Sequence, residues 1–216
     1  DLGFEPRLAK SWERIDENTM RFELREGVNF HSGNELTAKD VKFTFNRLKQ
    51  SQDYKAIFKP FSELKVIDDY TFELVTNEPY PLLLNTATYI FPLDSEFYTG
   101  KTESGKDKSA ITKHGNGPYV ITGRQQGVRV EFERFDDYWD TESPGNVGKI
   151  VLTPIKENNT RVSALLSGGV DFIAPVPPTD LERIRRDKNA DLVTMSGTRI
   201  ILFHMNQDRV EAFKNP

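Results

Sequence analysis

Three histidines, His31, His114 and His204, are the side chains best suited to acid–base or metal chemistry in this sequence. A helical metal site sets two ligands at i and i+3 or i+4, so that both leave one face. None of the three lies on a predicted helix with a histidine or carboxylate partner at that spacing. His204 and Met205 are neighbours in a predicted strand and therefore point to opposite faces, which prevents them from holding one ion together. No serine stands in a Gly-x-Ser-x-Gly setting, and the glycine-containing stretches match neither a phosphate loop nor a dinucleotide fingerprint. The acidic pairs Asp68-Asp69 and Asp136-Asp137 fall at predicted turns, where a solvated aspartate is the ordinary occupant. The chain has no cysteine, which removes disulfides, thiolate metal sites and cysteine nucleophiles. The residues assemble no catalytic constellation, so the expectation is a protein that is not an enzyme and uses no metal or cofactor.

Charge excludes a further class. Lysine and arginine total 29 against 33 acidic residues, a net charge of -4, with the two signs interspersed. The densest basic cluster, Arg183-Ile-Arg185-Arg186, is one face of a short helix, whereas a nucleic-acid surface needs a basic stripe. Nucleic acid is not an expected partner. Mean hydropathy is -0.58, and apolar runs such as Ile200 to Phe203 are far below the roughly 20 residues of a membrane span. No basic segment leads into an apolar one at the N-terminus, so the chain reads as a mature product or a piece of a longer protein.

The elements that must position any site follow from periodicity. Two strands flank the turn Asp16-Glu17-Asn18, the second alternating as Met20-Arg-Phe22-Glu-Leu24. Thr37-Ala-Lys-Asp40 reads as a capping box, in which the Thr37 hydroxyl accepts from the backbone three residues on. It opens a helix to about Lys49 that carries Val41, Phe45 and Leu48. Leu64–Val66 and Thr71–Leu74 are strands joined at Asp68-Asp69. Pro79 and Pro81 precede a short helical piece at 82–88, and the polar tract 99–113 reads as an exposed loop.

After it the pattern becomes regular, with strands at 119–121, 128–133 and 150–152. A helix capped by Asn158 or Asn159 carries Val162, Leu165 and Leu166 and ends at Gly168-Gly169. A strand at 170–173, a helix boxed by Thr179 and Glu182, and strands at 192–193 and 199–205 complete the reading. Alternation of this kind predicts an α/β fold with a mixed sheet flanked by helices. The aromatic group Phe132, Phe135, Tyr138 and Trp139 is expected to pack against that sheet, a minority of it lining a cleft.

Several blocks resemble a known family. Leu8-Ala-Lys-Ser-Trp12, the run from Met20 through Arg25 and Val28 to His31-Ser-Gly33, and Leu36-Thr-Ala-Lys-Asp40-Val41 with Arg47 are similar to the signature of the extracellular solute-binding protein family 5. These are the oligopeptide-, dipeptide- and nickel-binding receptors of ABC importers. Gly115-Asn-Gly117-Pro-Tyr119 resembles the family's Gly-Thr-Gly-Pro-Tyr, with Asn116 where threonine is usual. Glu131-Phe-Glu-Arg134-Phe-Asp-Asp-Tyr138-Trp139 resembles its Arg-Asn-x-x-Tyr-Trp element, with Phe135 in place of asparagine. Leu165-Leu-Ser-Gly168-Gly-Val-Asp171 and Phe203-His-Met-Asn206 match two later elements. The blocks keep the family's order and span essentially the whole chain.

The resemblance implies most of the first lobe of a periplasmic-binding-protein type II-like fold, with an inserted α+β subdomain. Residues 1–114 are expected to form the smaller insertion subdomain and 115–216 part of the main sheet domain. A second lobe would lie beyond Pro216. It further implies a small solute held by interlobe closure, a short peptide first, and a nickel chelate, opine or sugar as the alternative. The implied partners are permease subunits in the inner membrane, and the implied state is a monomer. Its place is periplasmic or membrane-anchored and extracytoplasmic. A hydrolase, or a protein that binds another folded chain, is the reading from another class.

Gly115, Asn116, Gly117 and Pro118 are expected to turn the chain from one subdomain into the next, the glycines supplying unusual backbone angles and Pro118 a fixed φ. The cleft-facing candidates are Thr88 and Tyr89, after the proline break, and Gly197, Thr198 and Arg199, which open the last predicted strand. The planar fork of Arg199 suits either a ligand carboxylate or a structural ion pair.

Overall fold

The structure, a computed structural model, describes residues 3–99, 115–142, 145–195, Gly197 and Arg209. The chain divides into two compact units, Asp1–Pro154 and Ile155–Pro216.

In the first unit β1 (Ala9–Arg14), β2 (Thr19–Leu24), β3 (Phe61–Val66) and β4 (Thr71–Thr76) form an antiparallel sheet in the order β1-β2-β4-β3. Both hairpins close by one device. The Asp16 carboxylate accepts the Asn18 N–H at 2.8 Å, and Asp68 accepts the Tyr70 N–H at 2.9 Å, each standing in for a backbone turn bond. Period-two alternation then separates the faces. Met20, Phe22, Leu24, Leu64, Phe72 and Leu74 are buried, with Phe22 stacked on its cross-strand partner Phe72 at 5.1 Å. On the other face the register lines up Glu13, Arg21, Glu73 and Lys65 in one row of alternating sign. Arg21 reaches Glu73 at 2.7 Å and Glu13 at 3.6 Å. A register slip of one residue would exchange the two faces, so this pairing is strongly specified.

Helix α1 (Ala38–Gln50) lays Val41 and Phe45 into the same apolar core. At its start the Asp40 carboxylate accepts the Thr37 N–H at 2.8 Å, as a capping box requires, and also the Thr37 hydroxyl at 2.9 Å. The other Asp40 oxygen holds the Ser95 N–H at 2.8 Å. Two short helices follow, α2 (Leu83–Ala87) and α3 (Ser95–Thr99). Buried Asp94 caps α3 through the Phe97 N–H at 2.8 Å and also accepts from Asn34 and Ser32. Thr99 therefore belongs to a helix end; the rest of the tract expected as a loop, 100–113, lies outside the described residues.

Strands β5 (Tyr119–Gln125), β6 (Arg129–Arg134) and β7 (Lys149–Leu152) form a second antiparallel sheet in chain order. Every ladder among the described strands is thus antiparallel.

In the second unit α4 (Asn158–Leu166) packs Val162 with Ile173 and Ile184. Its N-cap is Glu157 rather than an asparagine, because the Asn158 side chain accepts from the Arg161 guanidinium at 2.7 Å instead of from the helix. Gly168 ends the helix at φ 72°, and the Gly169 N–H returns to the Ala164 carbonyl at 2.8 Å, the expected glycine stop.

Residues 170–173 do not form the expected strand. The Val170 N–H also bonds Ala164, Ile173 is drawn into the small core, and Phe172 is 82% exposed; strand-forming residues make a strand only where a ladder partner meets them. Nor does Thr179 box a helix. Pro178 opens a 3₁₀ turn, Pro178–Asp180, ahead of α5 (Leu181–Arg185), and the Thr179 hydroxyl turns to Asp180 at 3.2 Å. Proline's preset φ starts the helix there without a side-chain cap. Leu192 and Val193 form no strand either, Val193 being 83% exposed. The strand expected at 199–205 lies outside the described residues.

Candidate functional site

Two features of the first unit stand out, a groove on its first sheet and a joint between its two sheets. The groove, about 360 Å³, is floored by Trp12 and Phe22 and walled by Leu84, Ile90 and Phe91 of the segment after α2. Its lining is chiefly apolar, with Glu5 and Arg7 its charged members. Phe91 is 74% exposed. The proline break at 79–81 is what brings this segment back across the sheet, since Pro cannot continue a ladder.

Thr88 lines the groove, and its hydroxyl donates to the Asn85 carbonyl at 2.6 Å, holding the end of α2. Tyr89 is neighbouring and 46% exposed. Gly197 is exposed and belongs to no element. Thr198 and Arg199, the other two cleft candidates, lie outside the described residues.

At the joint, residues 115–118 enter β5 beside His31. The His31 N–H donates to the Gly115 carbonyl at 2.8 Å, its Nε2 meets the Gly117 carbonyl at 2.8 Å, and the Gly115 N–H reaches its Nδ1 at 3.3 Å. The Phe135 N–H donates to the Pro118 carbonyl at 2.9 Å, and the Phe135 ring meets the imidazole edge-on at 4.9 Å. One expectation fails here. Neither Gly115 nor Gly117 has a positive φ, and a Cβ on either would meet open space. The path is set by its hydrogen-bond partners and not by glycine's conformational freedom.

Further contacts tie the chain after β6 to the first sheet. Arg7 pairs with Asp140 at 3.3 Å, Arg25 donates to the Arg7 carbonyl at 2.7 Å, and the Arg25 guanidinium lies 5.5 Å from the centroid of Trp139. Burial, and then the Asp140 charge, push the Tyr138 hydroxyl pKa up against the opposing pull of Arg7. Sequence reasoning found no chemical partner for His31 and placed Trp139 only in an aromatic cluster and a family-like block. Their partners lie 84 and 114 residues away, His31 from Gly115 and Arg25 from Trp139, separations that no local pattern reveals.

The Ser32 hydroxyl points to Asp94 while the adjacent His31 ring is spent on backbone, so no serine–imidazole pair exists at this turn. Among the described residues no group of three or more His, Asp or Glu is placed to hold a metal ion. No described helix is long and apolar enough to cross a membrane.

The fold is an α/β lobe of the type II periplasmic binding proteins. The dipeptide binding protein of Pseudoalteromonas sp. SM9913, solved in complex with Met-Leu, superposes with a TM-score of 0.77 at 21% identity. The match covers 86% of this chain and 41% of that one. The family model for bacterial extracellular solute-binding proteins, family 5 Middle, matches residues 3–216, and the chain belongs to that family. Among curated relatives, the dipeptide-binding protein of Escherichia coli K12 is 27% identical over 90% of this chain and 41% of its own. The nickel-binding protein NikA of Staphylococcus aureus is 26% identical over 98% of this chain and 41% of its own. The chain thus spans about two fifths of the length of the relatives it matches.

Proposed function

We propose that this chain is the first-lobe portion of the substrate-binding component of an ABC importer. It helps enclose a small solute, a short peptide, in an interlobe cleft for delivery to membrane permease subunits. The observation that carries this reading is the family match over residues 3–216, supported by a relative and a structural neighbour that bind dipeptides. The protein works outside the cytoplasm, in the periplasm or anchored to the membrane surface, as a monomer, and makes or breaks no covalent bond. Residues 1–114 are the insertion subdomain and 115–216 part of the main sheet domain, with Gly115–Pro118 the crossing between them. Thr88 and Tyr89, with Gly197, Thr198 and Arg199, face the solute. Closure over a solute excludes water and strengthens the few polar contacts that orient it.

The nickel-binding relative supports a second reading, a metal-chelate receptor on the same scaffold. Native mass spectrometry of the gently purified full-length protein separates the two. A ladder of co-purified peptide masses is the expected result, and a single nickel-chelate mass redirects the assignment. Turnover of a peptide with a reproducible pH optimum would overturn both.

A further inference from the structure

We propose that His31 is the positioning residue of the 115–118 crossing and that it acts as a neutral imidazole with its proton on Nε2. A backbone N–H can only donate, so the Gly115 N–H at 3.3 Å requires a lone pair on Nδ1. The proton then sits on Nε2, which donates to the Gly117 carbonyl at 2.8 Å, an oxygen that can only accept. Either other state fails at one end or both. The Nδ1–H tautomer sets N–H against N–H at Gly115 and lone pair against lone pair at Gly117. The imidazolium keeps the Gly117 bond and opposes the Gly115 one. One ring therefore reads the polarity of two peptide groups two residues apart and fixes the rotation of the chain between them.

This role is needed because the two glycines do not constrain the path themselves, and the Phe135 N–H to Pro118 carbonyl bond at 2.9 Å holds only its far end. Gly115 and Gly117 have neither a positive φ nor a crowded Cβ position, so a chain of their composition would sample many routes. The His31 N–H to Gly115 carbonyl bond at 2.8 Å and the edge of the Phe135 ring at 4.9 Å hold the imidazole in place. The proposal rests on the reading of 115–118 as the crossing between subdomains.

Selective ¹⁵N-histidine labelling of the full-length protein tests it, with the His31 signals identified by their loss in His31→Asn. Long-range ¹H–¹⁵N spectra are expected to show an unprotonated Nδ1 and a protonated Nε2. A His31 ring protonated at Nδ1, or at both nitrogens at neutral pH, overturns the proposal. Hydrogen exchange at the Gly115 amide supplies the second reading. His31→Gln keeps a donor near the Nε2 position but no acceptor for Gly115, so exchange there should accelerate about tenfold, the equivalent of one hydrogen bond. His31→Asn places an amide oxygen near the Nδ1 position and should restore much of the protection. Equal Gly115 exchange in wild type and His31→Gln overturns the proposal. Neither measurement needs a solute, so failure of the peptide reading by native mass spectrometry leaves this one standing.

Discussion

The Arg25 guanidinium rests over the Trp139 ring at 5.5 Å, joining the first sheet to the chain that leaves the second. Trp139 also packs, partly buried, against the first apolar core. Trp139→Ala should therefore cost about 1 to 3 kcal/mol, less than the ~3–5 kcal/mol of a fully buried aromatic. Arg25→Lys keeps the charge but loses the guanidinium over the ring and the Nε–H bond to the Arg7 carbonyl, and should cost about 1 kcal/mol. Urea unfolding monitored by circular dichroism checks both. An Arg25→Lys effect as large as that of Trp139→Ala would mean that the guanidinium's shape and its hydrogen bond, and not the burial of the ring, carry this contact.

Glycines that look alike in sequence should respond oppositely to alanine. Gly115→Ala and Gly117→Ala meet open space at an ordinary φ, so each should be neutral or stabilise by about 0.4–1 kcal/mol through the unfolded chain. Gly168 ends α4 at φ 72°, so Gly168→Ala should destabilise by roughly 1–2 kcal/mol. Thermal unfolding of the three variants gives the sign directly.

Asn116 carries a defect that one substitution removes. Its Nδ2 is buried and meets no hydrogen-bond partner among the described residues, and an unmet buried donor costs about 1–3 kcal/mol. Asn116→Thr, the residue usual in the motif this segment resembles, should raise the midpoint of urea unfolding without changing its slope.

Two turn carboxylates set an acid limit. The Asn18 N–H lowers the Asp16 pKa below its ordinary 3.8, and the Tyr70 N–H lowers that of Asp68 in the same way. A folded-state pKa below the unfolded one stabilises above the unfolded value, and that stabilisation is lost as pH falls through the folded value. Between pH 5 and 2 the wild type should lose stability more steeply than the double variant Asp16→Asn/Asp68→Asn, whose amide oxygens still accept the turn N–H. Carboxyl carbon titration should place both aspartates below 3.8.

These two turns, the first sheet and α1 were legible in the sequence because their determinants are local. Met20-Arg-Phe22-Glu-Leu24 alternates, Val41 and Phe45 repeat at helical spacing, and Asp16 and Asp68 begin their own turns. Residues 170–173, Val-Asp-Phe-Ile, are rich in strand formers and form no strand, since a ladder partner is not written in the strand's own sequence. At the joint only the role expected of the glycines fails, for a related reason. Gly115-Asn-Gly117-Pro118 looks like a stretch chosen for unusual φ, yet its path depends on His31, 84 residues earlier. The family blocks located the segment; only the packed chain supplied its cause.

Thr88 and Tyr89 are adjacent, and the geometry assigns them different tasks. The Thr88 hydroxyl is committed to the Asn85 carbonyl at 2.6 Å, closing the end of α2, whereas the Tyr89 ring is 46% exposed beside the groove. Tyr89→Ala should weaken binding of the co-purifying solute in the full-length protein by about fivefold or more, since exposed tyrosines make strong contact anchors. Its stability should stay within about 0.5 kcal/mol of wild type, as for most surface changes. Thr88→Val should lose about 1 kcal/mol of stability with its hydrogen bond and weaken binding less than Tyr89→Ala does. Isothermal titration with a matched thermal melt separates the two patterns. If Thr88→Val lost affinity and Tyr89→Ala did not, the solute would sit in the groove itself, against the hydroxyl side of the α2 end, and not over the exposed ring.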